Sequence, residues 1–323
     1  MVPQSCGSSV EIIDTCVVEV YNIRYSVKGS GRMGLYPPDD PFLINTSLFG
    51  IPLVVRWYGV IIVSGAMLAG WIAAGRVRRR GYDPEHIWNL LLVGMISGII
   101  GARAYYVLFE WPRFAGASWL EIVNPATGGL AIHGALIGAV VAAALYTRWH
   151  RLPLRIFLDI AMPPFLLAQA IGRWGNFMNQ EAYGSPTHLG FGVLIDEQHR
   201  IGPYRDMQQF PPDTLFHPTF LYESVWNLIG FGVLIWLERR LRDWLRPLDI
   251  ALFYAIWYGL GRFWIEGFRT DSLCLSGIGG TCEGSLRVAQ LVSLLMVIGG
   301  VIGLAINHHY AATHGTQPKS AER

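Results

Sequence analysis

Residues 165–184 read Phe-Leu-Leu-Ala-Gln-Ala-Ile-Gly-Arg-Trp-Gly-Asn-Phe-Met-Asn-Gln-Glu-Ala-Tyr-Gly. An apolar run, Phe165 to Ile171, passes directly into a segment that sets Arg173, Asn176, Asn179 and Glu181 among Gly172, Gly175 and Gly184. Such a junction marks the edge of a membrane span. Polar side chains at that edge are costly unless something needs them, and glycines let backbone approach a ligand closely. The plainer alternative is a solvated loop after a membrane helix.

The surrounding chain supports the membrane reading. Of its 323 residues, 52% are hydrophobic and only 15% charged, where a soluble domain carries about a quarter. Several long apolar runs place it in a bilayer. A net charge of +2 gives no reason to expect nucleic acid as a partner. The four cysteines are too few for a disulfide framework, and none forms a Cys-x-x-Cys pair. Cys274 and Cys282 bracket a Gly-rich loop expected outside the membrane, where a disulfide is permitted. No cysteine falls in an apolar span, so the chain offers no catalytic thiol of its own. It also has no carboxylate cluster of the magnesium-binding kind, so neither metal nor cofactor is expected.

At about 20 apolar residues per crossing, the sequence predicts seven spans: 54–75, 87–109, 131–147, 155–172, 219–237, 249–267 and 288–307. Pro163-Pro164 is expected to break the fourth. Arginines set the orientation. Arg76, Arg78, Arg79 and Arg80 follow span one; Arg148, Arg151 and Arg155 lie between spans three and four; Arg239, Arg240, Arg242 and Arg246 lie between spans five and six. All fall on one side, which the positive-inside rule makes cytoplasmic, with the N-terminus outside and the C-terminus inside.

The expected fold is thus an all-α integral membrane protein with a small extracytoplasmic α+β head. Its parts are an N-terminal extracytoplasmic segment (1–50), helices one to four (51–172), the head (173–218), helices five to seven (219–308) and a cytoplasmic tail (309–323). Residues 1–40 have no charged region followed by a long apolar one, so they are not a signal peptide. A short ribbon, a tail, or a lead-in before a start at Met33 all fit their composition.

A charge at the bilayer centre costs about 2.5–3.5 kcal/mol, so the charges inside spans need a reason. Tyr258, Arg262, Glu266 and Arg269 project within about 80° of one another on a helix, giving one polar stripe. An Arg262–Glu266 helix pair alone contributes a few tenths of a kcal/mol, too little to cover that cost, which favours a functional stripe. His133 at the start of span three reads, by position alone, as a structural histidine. Arg103 in span two reads as structural, either snorkelling or pairing with Glu266 or Glu223. Asp159 is expected to cap a helix or pair with Arg155.

The order of these residues is itself informative. The run from Gly172 to Gly184 resembles the signature Gly-Arg-x-Gly-Asn-Phe-x-Asn-x-Glu-x-x-Gly of the prolipoprotein diacylglyceryl transferases, with every fixed position met. Around it stand Arg56-Trp57-Tyr58-Gly59, Ile132-His133-Gly134-Ala135-Leu136-Ile137-Gly138, His217-Pro218-Thr219-Phe220-Leu221-Tyr222-Glu223 and the Tyr258–Arg269 stripe, each similar to a block of that family and in the same order. Ala135 replaces a usual glycine and Phe220 a usual glutamine. The resemblance spans Val54 to the last span and leaves residues 1–40 uncovered.

It implies transfer of a diacylglyceryl group from phosphatidylglycerol to the lipobox cysteine of a bacterial prolipoprotein, in the cell inner membrane. Products would be a thioether-linked precursor and glycerol phosphate. The partners would be phosphatidylglycerol, prolipoprotein signal peptides and membrane lipid, with the enzyme a monomer. The residues suit that chemistry. Arg173 and Arg262 would grip phosphate with bidentate hydrogen bonds, and fixed guanidiniums would stabilise charge on the leaving phosphate. His133 would be the general base for the incoming thiol, with Tyr258 or Glu266 as alternatives. Asn176 and Glu181 would hold the headgroup or orient Arg173. Gly184 and Tyr58 would border the site, Glu223 would buttress an arginine, and Arg269 would complete the stripe. The rival class is a transporter or channel with the span-six stripe lining its path.

Overall fold

Every long apolar run folds as a helix in the computed structural model, which describes residues 15–20, 23–28, 33–38, 40–48, 51–125, 128–274 and 286–314. The helices are α1 (Trp57–Arg78), α2 (Glu85–Phe109), α3 (Trp119–Val123), α4 (Ile132–Trp149), α5 (Leu154–Met178), α6 (Thr219–Arg240), α7 (Asp249–Glu266) and α8 (Val288–His314). Among the described residues, six (α1, α2, α4, α5, α6 and α8) are long and apolar enough to cross a membrane. This is a multi-pass membrane protein. The 18 residues of α7 include Asp249, Arg262 and Glu266, and their charge keeps it out of that set.

Two boundaries differ from the sequence expectation. Helix α1 starts at Trp57, because residues 51–56 pair as a strand instead of opening the span. Helix α5 runs on to Met178, so the first half of the glycine signature is helical. Nor does α5 break at Pro163-Pro164; both lie inside one continuous helix. A proline leaves the carbonyl four residues back without its N–H partner. Here those carbonyls belong to Asp159 and Ile160. Arg76 donates to both, Nη2 to Asp159 O at 3.1 Å and Nε to Ile160 O at 3.0 Å. One guanidinium replaces both missing bonds.

The chain divides into two units. The first comprises Met1–Gly65, Leu166–Trp236 and Leu252–Ile306. It holds the strands β1 (Thr15–Val20), β2 (Ile23–Lys28), β3 (Met33–Tyr36), β4 (Phe42–Leu48), β5 (Ile51–Arg56), β6 (Phe191–Leu194) and β7 (Leu215–Phe216). Five form one sheet in the order β1-β2-β3-β6-β7, while β4 and β5 form a hairpin. Strand β3 lies parallel to β6, Met33 opposite Phe191. The described N-terminal strands therefore extend the sheet of the 173–218 segment, and of the three sequence readings they match the ribbon. Beneath that sheet pack Phe177, Tyr183, Val193, Ile195, Phe216 and Phe220. Arg200 is fully buried there. Its guanidinium donates to the carbonyls of Ile195, Phe210, Pro211 and Pro212 and covers the Phe216 ring, and burial pushes its pKa down.

Helices α6 and α7 are locked by a reciprocal tryptophan pair. Trp226 and Trp257 stack 4.6 Å apart, and each indole N–H donates to the other's carbonyl at 3.0 and 3.1 Å. Gly261 and Gly230 make the room: a Cβ on either would lie 2.1–2.2 Å from an indole nitrogen. This lock fixes which residues of the two helices face each other.

The second unit comprises Ala66–Phe165, Leu237–Ala251 and Asn307–Arg323. Helices α2 and α4 meet there along a glycine seam, where a Cβ on Gly134 would come within 2.2 Å of Gly101 O. Small residues let membrane helices approach so closely. Arg103 donates to the carbonyls of Glu121, Ile122, Gly128 and Gly129, tying down the segment before α4. Asp159 caps α7, accepting from Leu248 N at 2.8 Å and Ala251 N at 3.0 Å. Asp249 is fully buried and accepts from Asn307 at 2.8 Å, with His308 Nε2 at the same distance. Arg76 and Arg80 both pair with Glu238. The end of α1, the start of α5, the end of α6, the start of α7 and the end of α8 are thereby tied together by hydrogen bonds and ion pairs.

Candidate active site

Glu223 is the hub. It sits in the second turn of α6, 4% exposed, and holds guanidiniums from three other places in the chain. Arg173 of α5 reaches its Oε2 at 2.6 Å, Arg262 of α7 its Oε1 at 2.8 Å, and Arg269 its Oε1 at 3.6 Å. The two arginines that the sequence assigns to phosphate thus meet on one carboxylate. Arg262 also has Nη2 2.7 Å from Glu266 Oε2, an ionic contact whose angle misses that of a hydrogen bond.

Arg269 joins this group from off the helix, which corrects the four-residue stripe. Helix α7 stops at Glu266, and a turn through Gly267 and Phe268 carries Arg269 back. There it forms a fork-to-fork pair with Asp271, Nε to Oδ1 at 2.9 Å and Nη2 to Oδ2 at 2.6 Å. Burial opposes the charge on both partners. The Asp271 bonds outweigh it for Arg269, raising its pKa, and the Arg269 bonds outweigh it for Asp271, holding its carboxyl below the usual range.

The signature supplies the other wall. At the end of α5, Arg173 Nη1 donates to Asn176 Oδ1 at 3.3 Å, and Asn176 Nδ2 donates to Glu181 Oε1 at 2.8 Å. Asn179 Nδ2 is 3.5 Å from the same oxygen. Asn176 and Glu181 therefore orient Arg173. Gly175 packs on the ring of Tyr58, where a Cβ would come within 2.7 Å. Tyr58 thus borders the signature, within electrostatic reach of Glu181 and Arg173.

After Met178 the chain turns sharply, with Gln180 and Ala182 both at positive φ (54° and 58°). Thr219 Oγ1 holds the Ala182 carbonyl, and Thr270 donates twice to Tyr183 O, at 2.9 and 3.2 Å. Gly184 then bridges to Arg269, and a Cβ there would meet His217 Cβ at 2.6 Å and Phe268 O at 3.1 Å. Only glycine passes between these two segments. His217 packs within the protein, its Nδ1 3.1 Å from the Tyr222 hydroxyl and its ring against Phe268; burial lowers its pKa.

Tyr258 lies one turn before Arg262 on α7 and stacks on Tyr254, ring centroids 5.7 Å apart. His133 belongs to the second unit, exposed at the first turn of α4 beside the Tyr105 ring. Cys274 is disulfide-bonded, and Cys282 lies outside the described residues.

Sequence reasoning missed Asp271 and Arg287. The second donates to the carbonyls of Glu266 and Arg269 and, at 3.0 Å, to Ser272 Oγ, clamping the turn after α7. Its only signal was an arginine directly before an apolar span. Among the described residues no group of three or more His, Cys, Asp or Glu has a metal-binding arrangement.

In charge the cluster balances: Arg173, Arg262 and Arg269 against Glu223, Glu266 and Asp271. In donors it does not. A guanidinium has five N–H bonds, and the described contacts of Arg173 and Arg262 use only part of each fork. The remainder can bind an anionic oxygen.

The sequence as a whole is similar to proteins of one family. A family described as prolipoprotein diacylglyceryl transferase matches residues 46–306. A phosphatidylglycerol–prolipoprotein diacylglyceryl transferase of Chloroflexus aggregans is 55% identical over 88% of this chain and 96% of its own. Proteins of the same name from Geobacillus kaustophilus (46% identical, 76% of this chain, 86% of its own) and Prochlorococcus marinus strain MIT 9301 (40%, 78% and 88%) are also similar. No relative named here is a transporter or channel, so the rival reading finds no support. With five motif blocks in family order and a match across most of its length, the chain belongs to the prolipoprotein diacylglyceryl transferase family.

Proposed function

We propose that this protein transfers the diacylglyceryl group of phosphatidylglycerol to the lipobox cysteine of bacterial prolipoproteins, the first step of lipoprotein maturation. The convergence of Arg173, Arg262 and Arg269 on Glu223 carries the reading. The thiolate sulfur attacks the glycerol carbon that bears the phosphate. A C–S bond forms, the C–O bond to phosphate breaks, and glycerol phosphate leaves with the electron pair. Charge grows on the phosphate oxygens during that step, where preoriented N–H donors stabilise it most. The thiol, with pKa near 8.5, needs only modest help to ionise.

His133 is the proposed general base, on the proton-accepting chemistry of an imidazole and on its motif; Tyr258 and Glu266 are the alternatives. Asn176 and Glu181 hold Arg173, and Gly184 and Tyr58 border the headgroup. The protein works as a monomer in the bacterial inner membrane. Helix α7 completes the seven spans as the sixth in order, because its charged groups are partnered within the protein: Asp249 by Asn307 and His308, and Arg262 and Glu266 in the Glu223 cluster. The arginine-rich helix ends lie in the cytoplasm and residues 173–218 form an extracytoplasmic head that presents the site.

The test is transfer of labelled lipid from phosphatidylglycerol to a lipobox peptide by purified protein, with the adduct identified by mass. Arg262→Ala should abolish transfer, as should Arg173→Ala, and His133→Asn should slow it greatly. Near-normal turnover by Arg262→Ala would reject the phosphate role, and ion or solute flux without any adduct would reject the enzyme.

A further inference from the structure

Below the ionic cluster lies a second polar tier that the phosphate chemistry does not use. One turn toward mid-span from Arg173 on α5 is Gln169; one turn from Glu223 on α6 is Asn227; one turn from Arg262 on α7 is Tyr258. Four residues of α-helix span about 6 Å. The register that brings Glu223 to Arg262 and Arg173 also sets Asn227 level with Tyr258 and Gln169. Independent contacts fix that register: the Trp226–Trp257 lock between α6 and α7, the Ser224 Oγ to Ala170 O bond at 2.9 Å between α5 and α6, and the Gln169 Nε2 to Tyr254 hydroxyl bond at 3.2 Å between α5 and α7.

The tier is neutral and short of partners. Asn227 is 2% exposed, yet its buried Nδ2 has no protein acceptor. The buried Oε1 of Gln169 has no protein donor. A half-turn of that carboxamide, which heavy-atom positions do not distinguish, lets the Tyr254 hydroxyl donate to the oxygen and frees a second N–H donor. Buried amide atoms without partners are rare and costly, and here there are two, each one turn from a residue of the ionic cluster on its own helix.

We propose that Asn227 and Gln169 are positioning residues for the lipid donor, each donating to one ester carbonyl of the diacylglyceryl group. In a glycerophospholipid two ester carbonyls follow the phosphate by a few bonds, a reach comparable to one helical turn. A phosphate on the arginine tier places them at the amide tier. The arginines then bind the part that leaves, and the amides hold the part that is transferred. This inference rests on the transferase reading above.

The experiment compares phosphatidylglycerol carrying two ester-linked chains with its dialkyl ether analogue of equal chain length, which lacks both carbonyls. Full-length purified protein and a lipobox peptide are used, reading kcat/KM for each lipid. The wild type should prefer the ester by about tenfold for each carbonyl held, about a hundredfold for the two. Asn227→Leu should cut that ratio about tenfold by slowing the ester alone, leaving the ether rate within about twofold. Its melting temperature should not fall, since a partnerless amide has been replaced by an apolar side chain of similar volume. Gln169→Leu should reduce the ratio in the same direction. An unchanged ratio in both variants, a wild type indifferent to the carbonyls, or a marked loss of stability in Asn227→Leu would each overturn the proposal. A wild type that transfers neither lipid would instead overturn the transferase reading, and the inference with it.

Discussion

Replacing Glu223 by glutamine keeps the shape of the hub and removes its charge. The three guanidiniums it holds, at 2.6, 2.8 and 3.6 Å, would then face two carboxylates in place of three. An amide has one acceptor oxygen, so a side chain that now serves Arg173 through Oε2 and Arg262 through Oε1 can keep only one of them. The other arginine meets an N–H group. Removing one partner of a buried ion pair costs about 3–5 kcal/mol, and the 4% exposure of Glu223 leaves little solvent to soften it. Stability in detergent, followed by thermal melting, should fall by about 3 kcal/mol on that scale. Loss of one oriented donor from a transition state costs a further factor of about 10²–10³ in turnover. A second substitution, Arg269→Gln, restores the charge balance; in the double variant melting should recover in part while transfer should not. If Glu223→Gln melts and turns over like the wild type, the guanidiniums do not depend on this carboxylate, and the hub is no hub.

Two further outcomes test other parts of the structure. Arg76→Met should lower the melting temperature and loosen α5 near Pro163, because the Asp159 and Ile160 carbonyls lose their donor and Glu238 loses one of two partners; hydrogen exchange across residues 160–168 reads it. For Asp271, Arg269 holds the carboxyl below its ordinary value of 3.8. Its contribution is therefore complete above that value and lost as pH falls through the depressed one. The melting difference between wild type and Asp271→Asn should accordingly be full at pH 7 and shrink in strong acid; a difference that grows with acid would refute the pairing.

Periodicity and composition carried most of the fold, because a bilayer allows few answers: each apolar run of the right length is a helix. They failed where long-range partners override local rules. Pro163-Pro164 argues for a broken helix, and no local signal shows that Arg76, more than 80 residues earlier, supplies the missing donor. The strand at 51–56 was hidden because Leu53, Val54 and Val55 are as apolar as a span. At the site, Arg173, Asn176, Glu181, Gly184, Tyr58, Arg262, Glu266, Arg269 and Glu223 were all legible as residues out of place in a membrane or as members of a motif. What they touch was not. Glu223 reads in sequence as one carboxylate opening a helix, and its role as common partner depends on the α6–α7 register set by two tryptophans and two glycines. Asp271 was missed because a carboxylate in a polar loop needs no explanation until a buried arginine is found beside it.

An enzyme for an anionic lipid might be expected to leave its arginines unpaired. The membrane argues otherwise: three uncompensated guanidiniums would each cost about 2.5–3.5 kcal/mol to insert. Matching carboxylates remove that cost, and they also suit the reaction. A phosphodiester carries one negative charge, whereas the phosphate monoester that leaves carries nearly two at neutral pH. Arginines already held by carboxylates bind the diester only modestly. Their remaining N–H bonds gain most as the second charge develops, in a site where low polarity magnifies the gain. Fully exposed cations would grip substrate and transition state alike, and that uniform binding lowers KM without raising kcat. On the proposed mechanism the carboxylates would not weaken the catalyst: Glu223, Glu266 and Asp271 would convert three strong anion binders into groups that respond chiefly to the charge that appears as the C–O bond breaks.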